Sequence, residues 1–269
     1  MSTATHNLFD LTGRVAVVTG AGSGLGREFC EILAEFGADV VCSDLYEDRA
    51  EETCSAIKRH GHKAIAVQAD VSSYDQVQTI FKQTEDTFGR LDILVNNAGI
   101  INRRCSIDQM EIQDWHKVLD VNVHGVFYCM KEGLRIMIRE KKGSIINITS
   151  ITGLCGVDPE VGLMSPYVTS KSAVIGLTRQ GAAEYGPLGI RVNAMAPGWH
   201  LGTKLAAGAG VKRTEEEINS FRQVLSSRTP LRRTGEPSEL KGLLLYLASD
   251  ASSFVTGQVI ASDGGWTCV

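Results

Sequence analysis

The chain reads as one doubly wound α/β domain, a parallel sheet with helices on both faces, and three observations predict this. Short apolar runs such as Val15-Ala16-Val17-Val18 and Ile93-Leu94-Val95 alternate with stretches whose apolar residues recur at helical spacing. The first run breaks into Gly20-Ala21-Gly22-Ser23-Gly24-Leu25-Gly26 ahead of a helical pattern, as a buried strand entering a crossover helix does. No linker or shift of composition divides the 269 residues, so residues 1–269 are expected to form a single domain.

The elements follow in order. After the strand at 15–18, Leu25, Phe29, Ile32, Leu33 and Phe36 define a helix that Gly37 stops before a strand at 39–44. The alternation predicts a helix over about 47–60, a strand at 64–67, a helix over about 74–88 carried by Val77, Ile80, Phe81 and Phe88, and a strand at 93–95. The second half predicts a long helix over roughly 111–139, a strand at 144–148, a helix from about Pro166 to Tyr185 and a strand at 191–195. Glycines and charges interrupt the pattern over 199–235, which reads as a lid within the domain, before a helix near 236–249 and a last strand near 258–260.

Composition narrows the function. With 43% hydrophobic residues the chain can bury a sizeable core, and a net charge of −4 without long single-sign runs offers no nucleic-acid or polybasic membrane surface. Seven scattered cysteines without a C-x-x-C pair fit reduced thiols in a cytoplasmic protein, and no metal site is expected. Met1–Asp10 has neither the basic region nor the apolar core of a signal peptide, and no apolar run reaches the ~18 residues of a membrane helix. The expected partners are a small molecule and further copies of the chain.

Two constellations carry chemistry. Gly20, Gly24 and Gly26 let the backbone turn sharply and approach a pyrophosphate, which would rest on the amides opening the next helix. Asp44 ends the following strand, where its carboxylate can accept from a ribose and repel a 2′-phosphate. With Ser23 and no Arg or Lys in the turn, this favours NAD over NADP. The second is Tyr167 and Lys171, four residues apart behind Pro166 and hence on one helix face. An ammonium beside a phenol favours the phenolate, so the pair is expected to bring Tyr167 toward acid/base use near neutral pH. The same spacing also occurs on ordinary solvated helix faces.

Taken with Asn96-Asn97-Ala98-Gly99, Asn122, Ser150, Pro197-Gly198 and Asp263-Gly264-Gly265, all in the same order, these motifs resemble the short-chain dehydrogenase/reductase family along essentially the whole chain. The resemblance implies a Rossmann-type fold and hydride transfer between NAD(H) and a secondary alcohol or ketone. Tyr167 would be the general acid/base, and Lys171 would tune it and bind the nicotinamide ribose. Ser150 would polarise the reacting oxygen, and Asn122 would anchor a proton-relaying water. It further implies cofactor contacts from Gly20, Ser23, Gly24, Leu25, Gly26, Asp44, Asp70, Val71, Asn97, Gly99, Pro197, Gly198 and Thr203, the last displaced by one position from the family's threonine. Asn96 would brace the central strands.

The substrate is less legible. Asn96–Arg104 and the closing Asp263-Gly264-Gly265-Trp266 resemble the gluconate and deoxygluconate dehydrogenases, so Arg103 or Arg104 is expected to pair with a substrate carboxylate. Cys155, Trp199 and His200 are further pocket candidates, and the sixteen residues between Ser150 and Tyr167 make a longer loop than the family usually has. A 3-oxoacyl thioester reductase and a polyol or cyclic-alcohol dehydrogenase remain open beside a sugar-acid enzyme. A non-enzymatic nucleotide-binding protein would be expected to lack Ser150, Tyr167 or Lys171. Apolar residues on several faces of 118–137 and 174–183, with the resemblance, imply a homotetramer.

Overall fold

The computed structural model describes residues 7–59, 61–201 and 214–269. Seven parallel strands form one sheet in the order β3-β2-β1-β4-β5-β6-β7. They are β1 (Val15–Thr19), β2 (Asp39–Asp44), β3 (Ala64–Gln68), β4 (Ile93–Asn96), β5 (Gly143–Ile148), β6 (Ile190–Pro197) and β7 (Val259–Ser262). Alternation along β1 builds both faces at once. Ala16 and Val18 enter one core with Phe29, Leu33, Leu244 and Leu247, and Val17 enters the other with Ile80, Phe81, Met130 and Val174. The first core is covered by α1 (Gly24–Glu35) and α8 (Lys241–Ala248), the second by α3 (Tyr74–Phe88), α5 (Gly125–Glu140) and α6 (Ser165–Tyr185).

The order reverses between β1 and β4, and there the loops leaving the strands' carboxyl ends diverge and open a crevice. Side chains weld these central strands: Asn96 Nδ2 donates to Asn147 Oδ1 (2.8 Å), and Asn147 Nδ2 donates to Thr178 Oγ1 of α6 (2.9 Å). Asn96 therefore braces β4 against β5, as the resemblance implied.

Two expected elements differ. The long helix over 111–139 is broken into α4 (Ile112–Leu119), a π turn over Asp120–His124 and α5, with Gly125 N–H reaching back to Asp120 C=O. Apolar periodicity does not register one wider turn. The stretch expected to form a lid holds a regular helix, α7 (Glu215–Arg228), opened by a capping box in which Thr214 Oγ1 accepts from Glu217 N–H (3.2 Å) and Glu217 Oε2 accepts from Thr214 N–H (2.8 Å). The Thr-x-x-Glu signature was present in the sequence. Thr203 lies outside the described residues. Among the described residues no helix is long and apolar enough to cross a membrane.

Candidate active site

The glycine turn after β1 is shaped so that side chains cannot enter it. A Cβ on Gly26 would lie 2.0 Å from Gly20 C=O and 2.7 Å from Asn97 Nδ2, and one on Gly22 would meet the Asp44 carboxyl at 2.9 Å. Gly20 itself has φ +64°, the left-handed region that glycine occupies without strain. Around the turn the polar groups already hold one another. Asp44 Oδ2 accepts from Gly22 N–H (2.8 Å) and Oδ1 from Tyr46 N–H (3.1 Å). Asn97 Nδ2 donates to Thr19 C=O (2.9 Å) and Gly20 C=O (3.2 Å).

These are the features a dinucleotide needs: a bare backbone cradle at a helix N-terminus and a buried carboxylate beside it. One neighbour was not foreseen. Arg49, from the first turns of α2 (Glu47–Arg59), packs its Cβ 2.5 Å from where a Gly22 Cβ would stand and lays its guanidinium 4.1 Å over the Tyr46 ring. The base of a cationic side chain thus touches the turn from the next helix, with its charge over Tyr46, which reading the turn residues alone does not reveal.

Other expected contact residues are also held within the protein. Asp70 Oδ1 accepts from Ser72 N–H (2.9 Å) and Ser72 Oγ (2.6 Å) in the turn before α3, and the Val71 side chain is buried against Gly125. Ser23 precedes α1 in extended conformation, and Leu25 packs on the first core. Gly198 lies against Asp263, where a Cβ would be 2.6 Å from Asp263 Cα, and Pro197 closes β6.

The residues expected to react converge across the crevice. Ser150 follows β5, and Tyr167 and Lys171 lie one turn apart on the buried face of α6, with Pro166 in its first turn. Lys171 Nζ donates to Ile148 C=O (2.8 Å) and lies 5.4 Å from the Tyr167 ring centroid. A Cβ on Gly99 would be 3.5 Å from Lys171 Nζ and 3.3 Å from Asn122 Oδ1, so the Asn96–Gly99 loop borders the same space.

The electrostatics correct one expectation. Burial pushes the Tyr167 phenol up to about 12, with its hydrogen bond to Ser150 pulling the other way. Burial also lowers the Lys171 ammonium to about 8. Desolvation outweighs the attraction assumed from the four-residue spacing, because Nζ is turned to a strand carbonyl rather than the phenol oxygen. Asn122 differs as well. Its Nδ2 donates to Ile100 C=O (2.9 Å) and Ser170 Oγ (3.0 Å), and its Oδ1 accepts from Ile100 N–H (2.8 Å). Ser170 Oγ in turn donates to Tyr167 C=O (2.7 Å). The Asn122 side chain is a brace between the Gly99 loop and α6, so the water-anchoring role implied by resemblance does not fall to its amide hydrogens.

The substrate candidates separate. Arg104 is spent on the long loop, where its guanidinium donates to the carbonyls of Pro159 and Glu160, while Arg103 stays exposed. Cys155 is exposed and its thiol donates to Ile151 C=O (3.4 Å). Trp199 stacks edge-on against Phe221 of α7 and Trp266, and His200, its pKa lowered by burial, lies against Gly235. Arg228 at the end of α7 pairs with Asp158 (3.0 Å) and Glu160 (2.8 Å), joining that helix to the long loop. A separate cavity of about 410 Å³ opens at the amino ends of the strands, away from this chemistry. Its Arg14 is paired with Asp250 (2.6 Å), and its Arg191 donates to Leu247 and Ser249 carbonyls.

Comparison with known proteins agrees with this geometry over almost the full length. Residues 20–267 match the family model described as enoyl-(acyl carrier protein) reductase. The cis-4-hydroxycyclohexanecarboxylate dehydrogenase of Sinomonas cyclohexanicum is 39% identical over 256 residues, covering 95% of this chain and 97% of the relative. The chain is a short-chain dehydrogenase/reductase. Within this family it is also 39% identical to a 3-oxoacyl-[acyl-carrier-protein] reductase of Synechocystis, over 95% of this chain and 97% of the relative. Among solved structures, a short-chain dehydrogenase/reductase of Mycobacterium marinum superposes with TM-score 0.90 at 36% identity, over 98% of this chain and 99% of the other. A gluconate 5-dehydrogenase of Burkholderia cenocepacia, in complex with NADP and tartrate, superposes at 0.88 and 36%, over 98% of both chains. The family uses a nicotinamide cofactor, and the chain is an oxidoreductase acting on alcohol- or ketone-type substrates.

Proposed function

We propose that this short-chain dehydrogenase/reductase interconverts a secondary alcohol and a ketone with preference for NAD(H), using Tyr167 to carry the proton and Ser150 to hold the reacting oxygen. The observation that supports it most directly is the convergence of Ser150, Tyr167 and Lys171, all buried, across the crevice from the glycine turn. The nicotinamide supplies the hydride. In reduction Tyr167 gives its proton to the carbonyl oxygen while Ser150 donates to the same oxygen, and in oxidation Tyr167 takes the alcohol proton. A phenol held at about 12 is fully protonated at neutral pH, which suits it to donation. For alcohol oxidation its pKa must fall, and Lys171, with Nζ beside Gly99 where a ribose can approach, is the cation placed to do that.

Asp44 supports NAD. Its carboxylate is buried at the turn, where a 2′-phosphate would meet it. Arg49 supports the rival reading, since its guanidinium, over Tyr46 two residues past Asp44, could swing to pair with that phosphate, and relatives of similar fold carry NADP. With Arg104 engaged by the long loop, Arg103 is the residue left to meet the carboxylate of a sugar acid. A homotetramer would cover the exposed Phe127 of α5, 48% accessible, and the small-residue face of α6 at Ala173, Gly176 and Ala183; a monomer by light scattering overturns this.

The deciding assay follows nicotinamide absorbance with sugar acids, polyols, cyclic alcohols and a 3-oxoacyl thioester. NAD(H) should exceed NADP(H) by at least about tenfold in kcat/KM, or roughly 1.4 kcal/mol. Equal efficiency would overturn the cofactor preference. Asp44→Ser should move preference toward NADP(H), and adding Arg49→Ala should take that gain away.

A further inference from the structure

Three buried side chains of α6 tie it to its surroundings. Thr178 and Lys171 hold it to β5, through Asn147 Nδ2 (2.9 Å) and Ile148 C=O (2.8 Å). Ser170, which stands between Tyr167 and Lys171 along the helix, holds it instead to the loop after β4. Its hydroxyl accepts from Asn122 Nδ2 (3.0 Å), and Asn122 is bonded to both backbone groups of Ile100, the residue after Gly99.

The direction of every bond in this chain is fixed. Asn122 Oδ1 accepts from Ile100 N–H and its Nδ2 donates to Ile100 C=O, so turning the amide over would set donor against donor and acceptor against acceptor. The second Nδ2 hydrogen therefore points at Ser170 Oγ, which has to accept it. A hydroxyl carries one hydrogen, and that one goes to Tyr167 C=O (2.7 Å). Asn122 and Ser170 are both 0% exposed, so neither link competes with solvent. The Tyr167 carbonyl is also the helical partner of the Lys171 amide, four residues on. One backbone oxygen thus joins the loop after β4 to the turn of α6 that carries both the phenol and the ammonium.

This link spans the crevice, whereas the Thr178 and Lys171 links run to the sheet. A Cβ on Gly99 would be 3.5 Å from Lys171 Nζ, so the Gly99 loop faces the space in which a ribose would lie. With that loop fixed through Ile100 and α6 fixed at Tyr167, the gap between hydride donor and proton donor is set, and small errors in such a gap cost rate.

We infer that Ser170 is a positioning residue for the reaction: by linking Asn122 to the Tyr167 carbonyl it sets the separation of the Gly99 loop from the phenol, and so acts on the chemical step rather than on the binding of either ligand. The inference rests on the reading of Tyr167 as the acid/base.

The test uses the full-length protein with saturating NAD⁺ or NADP⁺, whichever it uses better, and whichever of gluconate, xylitol and cyclohexanol it oxidises fastest, between about pH 6 and about pH 10. Ser170→Ala should lower kcat by about ten- to a hundredfold, with KM and the nucleotide Kd within about threefold of the unaltered protein. The apparent pKa of the basic group in the kcat/KM profile should move by about half a unit or more, because a loosened α6 changes the burial of the phenol and its distance from Lys171. Ser170→Cys keeps nearly the same size and a weaker hydrogen-bonding group, so it should fall between the two, and it carries the test if Ser170→Ala does not fold. Thr169→Ala removes the neighbouring exposed hydroxyl and should stay within about twofold. A merely structural hydroxyl would lower the melting temperature and the active fraction while leaving the pH profile in place. That outcome, or a loss confined to KM or nucleotide Kd, or unchanged kinetics in both Ser170 variants beside an inactive Tyr167→Phe, would overturn the inference and leave the dehydrogenase reading standing. Near-normal turnover by Tyr167→Phe would overturn that reading and this inference with it.

Discussion

The two sides of the crevice are prepared in opposite ways. On the glycine-turn side Asp44 holds the Gly22 and Tyr46 amides, Asn97 holds the Thr19 and Gly20 carbonyls, and Thr19 Oγ1 accepts from the amides of Asn97 and Ala98 (3.1 Å each), all before any ligand arrives. On the other side Ser150, Tyr167 and Lys171 are buried on β5's exit and α6, and the long loop between Ser150 and Tyr167 is held to α7 by exposed ion pairs. A ligand common to a whole family can be met by a rigid, self-satisfied cradle. A ligand that differs from enzyme to enzyme is met by surface loops, which can vary without disturbing the sheet.

The largest effect is expected where that contrast meets the chemistry. Tyr167→Phe should lower kcat by about 10²–10⁴ while nucleotide affinity, measured by fluorescence titration, stays within a few-fold. Near-normal turnover would remove Tyr167 as the acid/base. Gly26→Ala tests the rigid side. The backbone oxygen 2.0 Å from the new Cβ cannot step aside cheaply, so the melting temperature should fall by several degrees and nucleotide binding should weaken more than about tenfold. An unperturbed variant would mean the cradle is softer than its hydrogen bonds suggest.

A third effect is one of pH. Lys171 titrates near 8 in the folded protein against about 10.5 unfolded, so between these values the unfolded chain holds more protons and stability rises with pH. Tyr167, at about 12 folded against about 10 unfolded, acts in reverse, and its contribution is lost as pH rises from about 10 to about 12. From pH 8 to 10 the ligand-free protein should therefore gain on the order of 1–3 kcal/mol relative to Lys171→Met. Parallel melting curves for the two proteins would show that burial does not depress Lys171.

The smallest effect belongs to the exposed ion pairs between α7 and the long loop. Arg228→Gln releases Asp158 and Glu160, which are exposed, so each pair is worth no more than about 1 kcal/mol. Substrate KM should rise by about two- to five-fold at low salt, and the difference should fade by 0.5 M salt as the charges are screened. A salt-independent change would point to packing rather than charge.

The sequence by itself determined the doubly wound fold and the dinucleotide cradle, because both rest on local regularities. Apolar runs of strand length, helical periodicity and glycines at fixed spacing are properties of neighbours along the chain. It also marked Tyr167 and Lys171 as sharing a helix face, since four residues make one turn. What lay outside its reach was every property set by residues distant in sequence. The phenol and ammonium are shifted by burial under loops from elsewhere in the chain, which spacing cannot express. Arg49 reaches the glycine turn only because α2 packs beside β2, and Arg104 is captured by Pro159 and Glu160 across more than fifty residues. Asn122 is turned into a brace by the π turn and by Ile100 and Ser170. Which buried polar atoms are left without partners among the described residues was decided only when the tertiary structure had paired the others.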